Sequence, residues 1–113
     1  MYIALILAGI CVLAFLIQLG VPGFTEALLV AKGLSFYEPW RFITGIFLHA
    51  DPAHLLYNMF ALVIFGMILE KIVGKRIFLG IFFGAGILAS IGSAFLYNAA
   101  LGASGAIFGV LGA

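Results

Sequence analysis

The sequence predicts an all-α, polytopic membrane helix bundle, and two observations lead to this fold class. Of the 113 residues, 66% are hydrophobic and only 8% are charged, whereas about a quarter of the residues in a soluble domain are charged. The apolar residues also form four stretches, over positions 2–19, 53–73, 77–97 and 99–113. We therefore expect four transmembrane helices, with a first loop over residues 20–52.

The first three stretches are long enough to span a bilayer, because about 20 residues at about 1.5 Å each cover a hydrocarbon core of about 30 Å. The fourth stretch is shorter and ends without a polar flank, an aromatic anchor or a capping residue. We expect this helix to be truncated. Residues 1–113 are then one domain that is incomplete at its C-terminus, with further spans to follow.

The first loop is too apolar for a segment that only faces water. The stretch "TEALLVAKGL" predicts a short helix with Thr25 as its cap. Aromatic side chains of the kind found at headgroup depth cluster at Phe36, Tyr37, Trp40 and Phe42. We expect this loop to be associated with the membrane.

The basic residues predict the orientation. Lys71, Lys75 and Arg76 fall within six residues between the second and third stretches, and short loops rich in Lys and Arg are cytoplasmic. The protein is therefore expected to be a multi-pass integral protein of the cell membrane with a cytoplasmic N-terminus. The starts of the second and fourth helices then lie near the outer face.

Three polar side chains are predicted at this outer depth. In "DPAHLLYNM", Asp51 is a good helix cap and Pro52 suits the first helical position. His54 and Asn58 are four residues apart and share one helical face, while Ser104 lies near the start of the fourth stretch. Polar side chains inside a bilayer are costly and are functional candidates.

Each candidate also has a purely structural interpretation. Ser104 lies among small residues at a spacing typical of close helix contacts, and its hydroxyl could bond a backbone carbonyl. His54 and Asn58 could hydrogen-bond to a neighbouring helix. His49 precedes the helix and is expected to be a loop residue near water, and Glu70 to be an anchor that bonds loop backbone or a basic neighbour.

The stretches "WRFITGIFLHADPAHLLYNM", "FGMILEKIVGKR" and "GASGAIFG" together resemble the rhomboid intramembrane serine proteases, in that family's order and spacing. The resemblance covers about residues 37–113. The matching residues are Trp40 and Arg41 in the first loop, His54 and Asn58 on the second helix, Glu70 and Gly74 at its end, and Gly102, Ser104 and Gly105.

The resemblance implies a serine endopeptidase, a hydrolase that cleaves transmembrane segments of membrane-protein substrates within the lipid bilayer, without a metal or cofactor. Ser104 would be the nucleophile. His54, Asn58 and the backbone N–H groups of Ser104 and Ala103 would bind the oxyanion. Gly102 and Gly105 would allow close approach of the backbones and the substrate, and the active site would face the outer side.

One departure from the family pattern concerns the general base. In the family this base is a histidine on the sixth core helix, and no histidine follows Ser104 in this sequence. A serine hydroxyl is a weak nucleophile without an adjacent base. We therefore expect the 113-residue chain to be inactive alone and the histidine to lie beyond it, since His54 suits an oxyanion donor better than a base.

Two alternatives remain at this point: a catalytically inactive rhomboid-like protein that binds membrane clients, and a small helix-packing subunit of a channel or transporter. A nucleic-acid partner is not expected, because the net charge is +1 and the sequence has no basic run. Cys11 is the only cysteine, so neither a disulfide nor a thiolate metal site can form within the chain.

Overall fold

The computed structural model describes residues 1–31, 33–96 and 99–112. These parts of the chain form seven helices and two short strands. In chain order the elements are α1 (Ile3–Gly20), α2 (Phe24–Leu28), β1 (Val30–Ala31), α3 (Leu34–Tyr37), α4 (Arg41–Phe47), α5 (Pro52–Val73), α6 (Lys75–Leu96), β2 (Ala99–Ala100) and α7 (Ser104–Gly112).

Three helices, α1, α5 and α6, are long and apolar enough to cross a membrane. Each begins within two residues of its predicted stretch. Each also has the roughly 20 residues that are needed to cross a hydrocarbon core of about 30 Å. The predicted end of the third stretch, at residue 97, lies outside the described residues. The fold is that of a helical integral membrane protein.

The fourth helix begins later than the sequence predicts. Residues 99–103 were expected to be helical, but β2 pairs with β1 in an antiparallel ladder, with Val30 opposite Ala100 and Ala31 opposite Ala99. Gly102 follows with a φ of +113°, a conformation that favours glycine and that a helix does not use. As a result α7 starts at Ser104, and its predicted end at residue 113 lies outside the described residues.

The first loop is folded into α2, β1, α3 and α4, and Arg41 holds much of it together. Its guanidinium is buried; Nη1 donates to the backbone carbonyls of Glu26 and Leu29 at 2.8 and 2.9 Å, and Nε donates to Glu38 at 2.8 Å. Carbonyls at the end of a helix have no partner within the helix. Arg41 therefore satisfies the end of α2 and ties it to α4.

The predicted cap of the short loop helix is wrong. The residue before α2 is Gly23, with a φ of +83° and no side-chain cap, and Thr25 lies inside the helix. The Thr25 hydroxyl instead accepts a hydrogen bond of 3.1 Å from Gln18 Nε2. The Thr25 hydroxyl, which the local sequence pattern assigns to capping, is therefore bound by a side chain of α1.

Glu70 joins the end of α5 to the start of α1. Its buried carboxylate accepts the backbone N–H groups of Ile3 and Ala4 at 2.8 and 2.9 Å, and Lys75 Nζ at 3.0 Å. Glu70 is therefore a structural anchor, although the backbone groups it binds belong to a helix start. Gly74, with a φ of +88°, ends α5 and donates its N–H to the Glu70 carbonyl.

The core is formed where α1, α5, α6 and α7 meet, and the contact between α6 and α7 is the most extensive helix contact. It depends on small residues, since a Cβ added at Gly105 would overlap the Cβ of Ala89, and one added at Gly109 would overlap that of Ala85. This close contact packs α7, which begins with Ser104, directly against α6.

Candidate active site

The start of α5 carries His54 and Asn58. The predicted cap is confirmed, since Asp51 Oδ1 accepts the backbone N–H of His54 at 2.8 Å and Pro52 is the first helical residue. His54 is exposed, whereas Asn58 is buried and its amide nitrogen has no hydrogen-bond partner among the described residues. The helix start thus presents an imidazole and a free amide donor on one face.

The start of α7 lies next to these two side chains. A Cβ added at Gly102 would lie 3.8 Å from both Asn58 Nδ2 and His54 Cε1, so the residue two positions before Ser104 faces this side of α5, and the absence of a side chain leaves space between them. The Gly102 N–H donates to the Gly45 carbonyl at 2.8 Å. Because Ser104 opens the helix, its backbone N–H has no acceptor within the helix and lies at the positive end of the helix dipole.

A cavity of about 150 Å³ lies beside Ser104. Ser104, Gly102 and Gly105 line one side of it, and Ser90 and Ser93 of α6 line another. The nucleophile predicted from the sequence is half-buried and lines a space that is large enough to hold small groups or water.

His49 contacts the residue before Ser104. Its side chain is 1% exposed, so the expectation that it lies near water is wrong, and its Nε2 accepts the Ala103 N–H at 3.4 Å. Burial lowers the pKa of His49 to about 4, with a smaller lowering from His54 and an opposite effect of the Phe47 backbone. The imidazole is therefore neutral at physiological pH, and the Ala103 N–H has a long, weak bond to it.

The other residues of the matching motifs lie outside this group. Trp40 is half-exposed at the start of α4, and Arg41 is occupied with the carbonyls of α2. Glu70 and Gly74 lie at the opposite end of α5, about 24 Å and about 30 Å along the helix axis from His54 at 1.5 Å per residue. The contacts of Arg41, Glu70 and Gly74 join backbone segments to one another.

Gln18 and His49 are the residues that the sequence did not point to as site residues. Gln18 binds the backbone of His49 through both ends of its amide. A signal was present, since Gln18 is the only amide side chain in α1 and lies in the last turn of an otherwise apolar helix. An amide at that position of a membrane helix needs partners from another element.

Comparison with known proteins identifies the rhomboid family, both by a family model and by similar proteins. A family model for the Rhomboid domain matches residues 37–113. YdcA of Bacillus subtilis is 43% identical over 83 residues, which are 71% of this chain and 42% of YdcA. The rhomboid protease GluP of the same organism is 46% identical over 93 residues, 80% of this chain and 17% of GluP.

A third similar protein is the mitochondrial RHOMBOID-like protein 6 of Arabidopsis thaliana, which is 43% identical over 81 residues, 67% of this chain and 25% of that protein. The chain therefore spans less than half the length of each of these three relatives.

Proposed function

This chain belongs to the rhomboid family, and on that premise we propose that the protein is an intramembrane serine endopeptidase that hydrolyses peptide bonds in transmembrane segments of other membrane proteins. Ser104 Oγ attacks the carbonyl carbon of the scissile bond, and its proton passes to a general base. The tetrahedral intermediate carries a negative oxygen, which needs hydrogen-bond donors.

The observation that carries this proposal is the unpartnered amide nitrogen of Asn58. A buried N–H without a partner costs about 1–3 kcal/mol, and such a group is expected where a reaction intermediate supplies the missing acceptor. The amide lies beside Gly102, two residues before Ser104. We assign it to the oxyanion site, with His54 beside it.

Backbone N–H groups complete the proposed donor set. The N–H of Ser104 has no helical acceptor, and the helix dipole favours negative charge at this position. The Ala103 N–H is the other proposed backbone donor, and its long bond of 3.4 Å to His49 orients it without occupying it fully.

The proposed base is a histidine outside these 113 residues, because no histidine follows Ser104 in them. His54 is assigned to the oxyanion instead, since it shares a helical face with the Asn58 amide. The base and nucleophile form a Ser–His dyad in this proposal, in which the histidine takes the Ser104 proton and returns it to the leaving amine.

We propose that the site lies in the outer half of the cell membrane and that the N-terminus is cytoplasmic. Support comes from Lys71, Lys75 and Arg76, which are exposed around the junction of α5 and α6, since such clusters stay on the cytoplasmic side. Arg76→Cys, in a background without other cysteines, should react with an impermeant maleimide from the cytoplasmic side only. Labelling from the outside would show that the orientation is the reverse of the proposed one. It would leave the proposed cleavage reaction unaffected.

The test of the proposed chemistry uses the protein expressed from its full reading frame, reconstituted in liposomes with a fluorogenic transmembrane peptide. Ser104→Ala should abolish cleavage, because loss of the nucleophile from a serine protease costs on the order of a millionfold in kcat. Asn58→Ala should lower kcat by about 100- to 1000-fold with a much smaller effect on KM, as for the loss of one oxyanion donor.

A fluorophosphonate probe supplies the matched comparison within one protein. It should label Ser104, which opens a helix next to oxyanion donors, and leave Ser93 unlabelled, although both line the same cavity. Undiminished cleavage by Ser104→Ala would show that the protein is not a serine protease of this kind. An unchanged kcat in Asn58→Ala would show that the Asn58 amide does not bind the oxyanion.

A further inference from the structure

The side-chain amide of Gln18 uses all of its hydrogen-bonding groups near the end of α1. Its Nε2 donates to the His49 carbonyl at 2.9 Å and to Thr25 Oγ1 at 3.1 Å, and its Oε1 accepts the His49 N–H at 3.0 Å. Because a side-chain amide has two N–H groups and one carbonyl, only one orientation of the Gln18 amide fits these partners. Gln18 therefore holds the backbone of His49 from both sides.

His49 needs such a partner because it lies in the short non-helical segment between α4 and α5. Its backbone N–H and carbonyl cannot join a helical ladder, and polar backbone groups inside a membrane protein must find partners elsewhere. The buried imidazole then reaches Ala103, whose N–H it accepts at Nε2. A continuous set of contacts thus runs from α1 to the residue before Ser104.

We propose that Gln18 and His49 are positioning residues that fix Ala103, and through it the backbone N–H of Ser104, at the start of α7. The inference rests on the proposed function, since this geometry affects a rate only if Ser104 and its neighbouring N–H groups take part in the reaction. Gly102 is held separately by the Gly45 carbonyl. Among the residues that the structure describes, His49 Nε2 is the side-chain acceptor of the Ala103 N–H, at 3.4 Å.

The electrostatics fit this role. A histidine can accept a hydrogen bond at Nε2 only when it is neutral, and burial lowers the pKa of His49 to about 4. Nδ1 then carries the proton and lies near the Phe47 backbone, but without the geometry of a hydrogen bond. The ring is oriented by the backbone that Gln18 holds, by Ala103 and by edge-on packing against the His54 ring at a centroid distance of 6.1 Å, so loss of the Gln18 amide should loosen it.

The test compares Gln18→Met, which keeps the length of the side chain and removes its hydrogen bonds, with Thr25→Val, which removes only the third bond of the amide. Gln18→Met should lower kcat by about 10- to 100-fold with KM unchanged within about 2-fold, the effect of a small misplacement of reacting groups. Thr25→Val should leave both constants within about 2-fold of the wild type.

A second readout follows His49 itself. Diethyl pyrocarbonate modifies accessible neutral imidazoles, and the modification rate is followed at His49 and at the exposed His54, whose ring packs against that of His49. Gln18→Met should raise the modification rate of His49 relative to His54, and Thr25→Val should not. His49→Gln, which keeps an acceptor for the Ala103 N–H, should retain more of the wild-type kcat than His49→Leu.

An unchanged kcat in Gln18→Met, or equal kcat values for His49→Gln and His49→Leu, overturns the inference while the Ser104→Ala result still stands for the proposed function. If Gln18→Met does not fold, Gln18→Glu replaces it. This variant keeps an oxygen that accepts the His49 N–H but removes the donor to the His49 carbonyl, so its kcat should also fall, and the kcat values of His49→Gln and His49→Leu are compared as before. Cleavage by Ser104→Ala overturns the proposed function itself, and the modification rates then decide whether Gln18 holds His49.

Discussion

Replacing Glu70 by alanine is expected to destabilise the protein by about 2–6 kcal/mol, because it leaves two backbone N–H groups of α1 without an acceptor, at about 1–3 kcal/mol each. Both groups, on Ile3 and Ala4, now donate to the carboxylate at 2.8 and 2.9 Å, and Ala4 is fully buried. Ala4 is closed to water, whereas Ile3 is half-buried, so the larger part of the cost comes from the Ala4 N–H. The negative charge also stabilises the positive end of the α1 dipole.

The measurement is unfolding in detergent micelles, followed by circular dichroism. Lys75→Met is the matched control, since it removes the ion pair of Glu70 but leaves both N–H groups satisfied. The Lys75 side chain is 56% exposed and that of Glu70 only 2%, so this variant leaves a buried carboxylate that still has two backbone donors, and it should cost less than Glu70→Ala. Glu70→Gln keeps one acceptor oxygen and should fall between the two. A Glu70→Ala cost no larger than that of Lys75→Met would refute the conclusion that Glu70 anchors the start of α1 by accepting these two N–H groups.

Three further variants test other contacts. Gly109→Ala should cost about 1–3 kcal/mol by overpacking, and adding Ala85→Gly should restore most of the melting temperature; no recovery would mean that the two residues do not meet. Arg41→Lys should speed proteolysis in the first loop, because an ammonium lacks the planar fork that reaches two carbonyls and a carboxylate; unchanged cleavage would contradict this. Since His49 has a pKa of about 4 instead of 6.5, its contribution to stability is present above pH 6.5 and is lost as the pH falls towards 4, at most about 3 kcal/mol. His49→Gln should flatten this part of the curve of unfolding free energy against pH, and a parallel curve would count against a neutral buried imidazole.

The long helices could be predicted from the sequence, and the start of α7 could not. Runs of about 20 apolar residues have few alternatives in a bilayer, so α1, α5 and α6 begin within two residues of their predicted positions. Residues 99–103 are equally apolar, but β2 pairs with β1 across about 70 residues of sequence. No local pattern reports such a pairing, and alanine is compatible with a helix as well.

Part of the candidate site could also be predicted from the sequence, and part could not. The face shared by His54 and Asn58 follows from their spacing of four residues in a capped helix, so the sequence could place them together. The contact of this face with Gly102 depends on how α5 and α7 pack, and the contact of His49 with Ala103 depends on Gln18 in α1. A histidine just before a helix looks like a loop residue when only neighbours in sequence are considered.

The distribution of polar contacts explains why the site has this location. The buried or half-buried polar side chains described elsewhere in the fold bind backbone groups: Glu70 binds the start of α1, Arg41 the end of α2, and Gln18 the backbone of His49. Irregular backbone in a membrane protein requires such partners. The buried side-chain atoms that lack a partner among the described residues, Asn58 Nδ2 and His49 Nδ1, belong to side chains beside the residues that precede Ser104. Unsatisfied polar groups are costly, so their concentration at the start of α7 is expected of a site that binds charge during a reaction and is not needed for a contact that only packs helices.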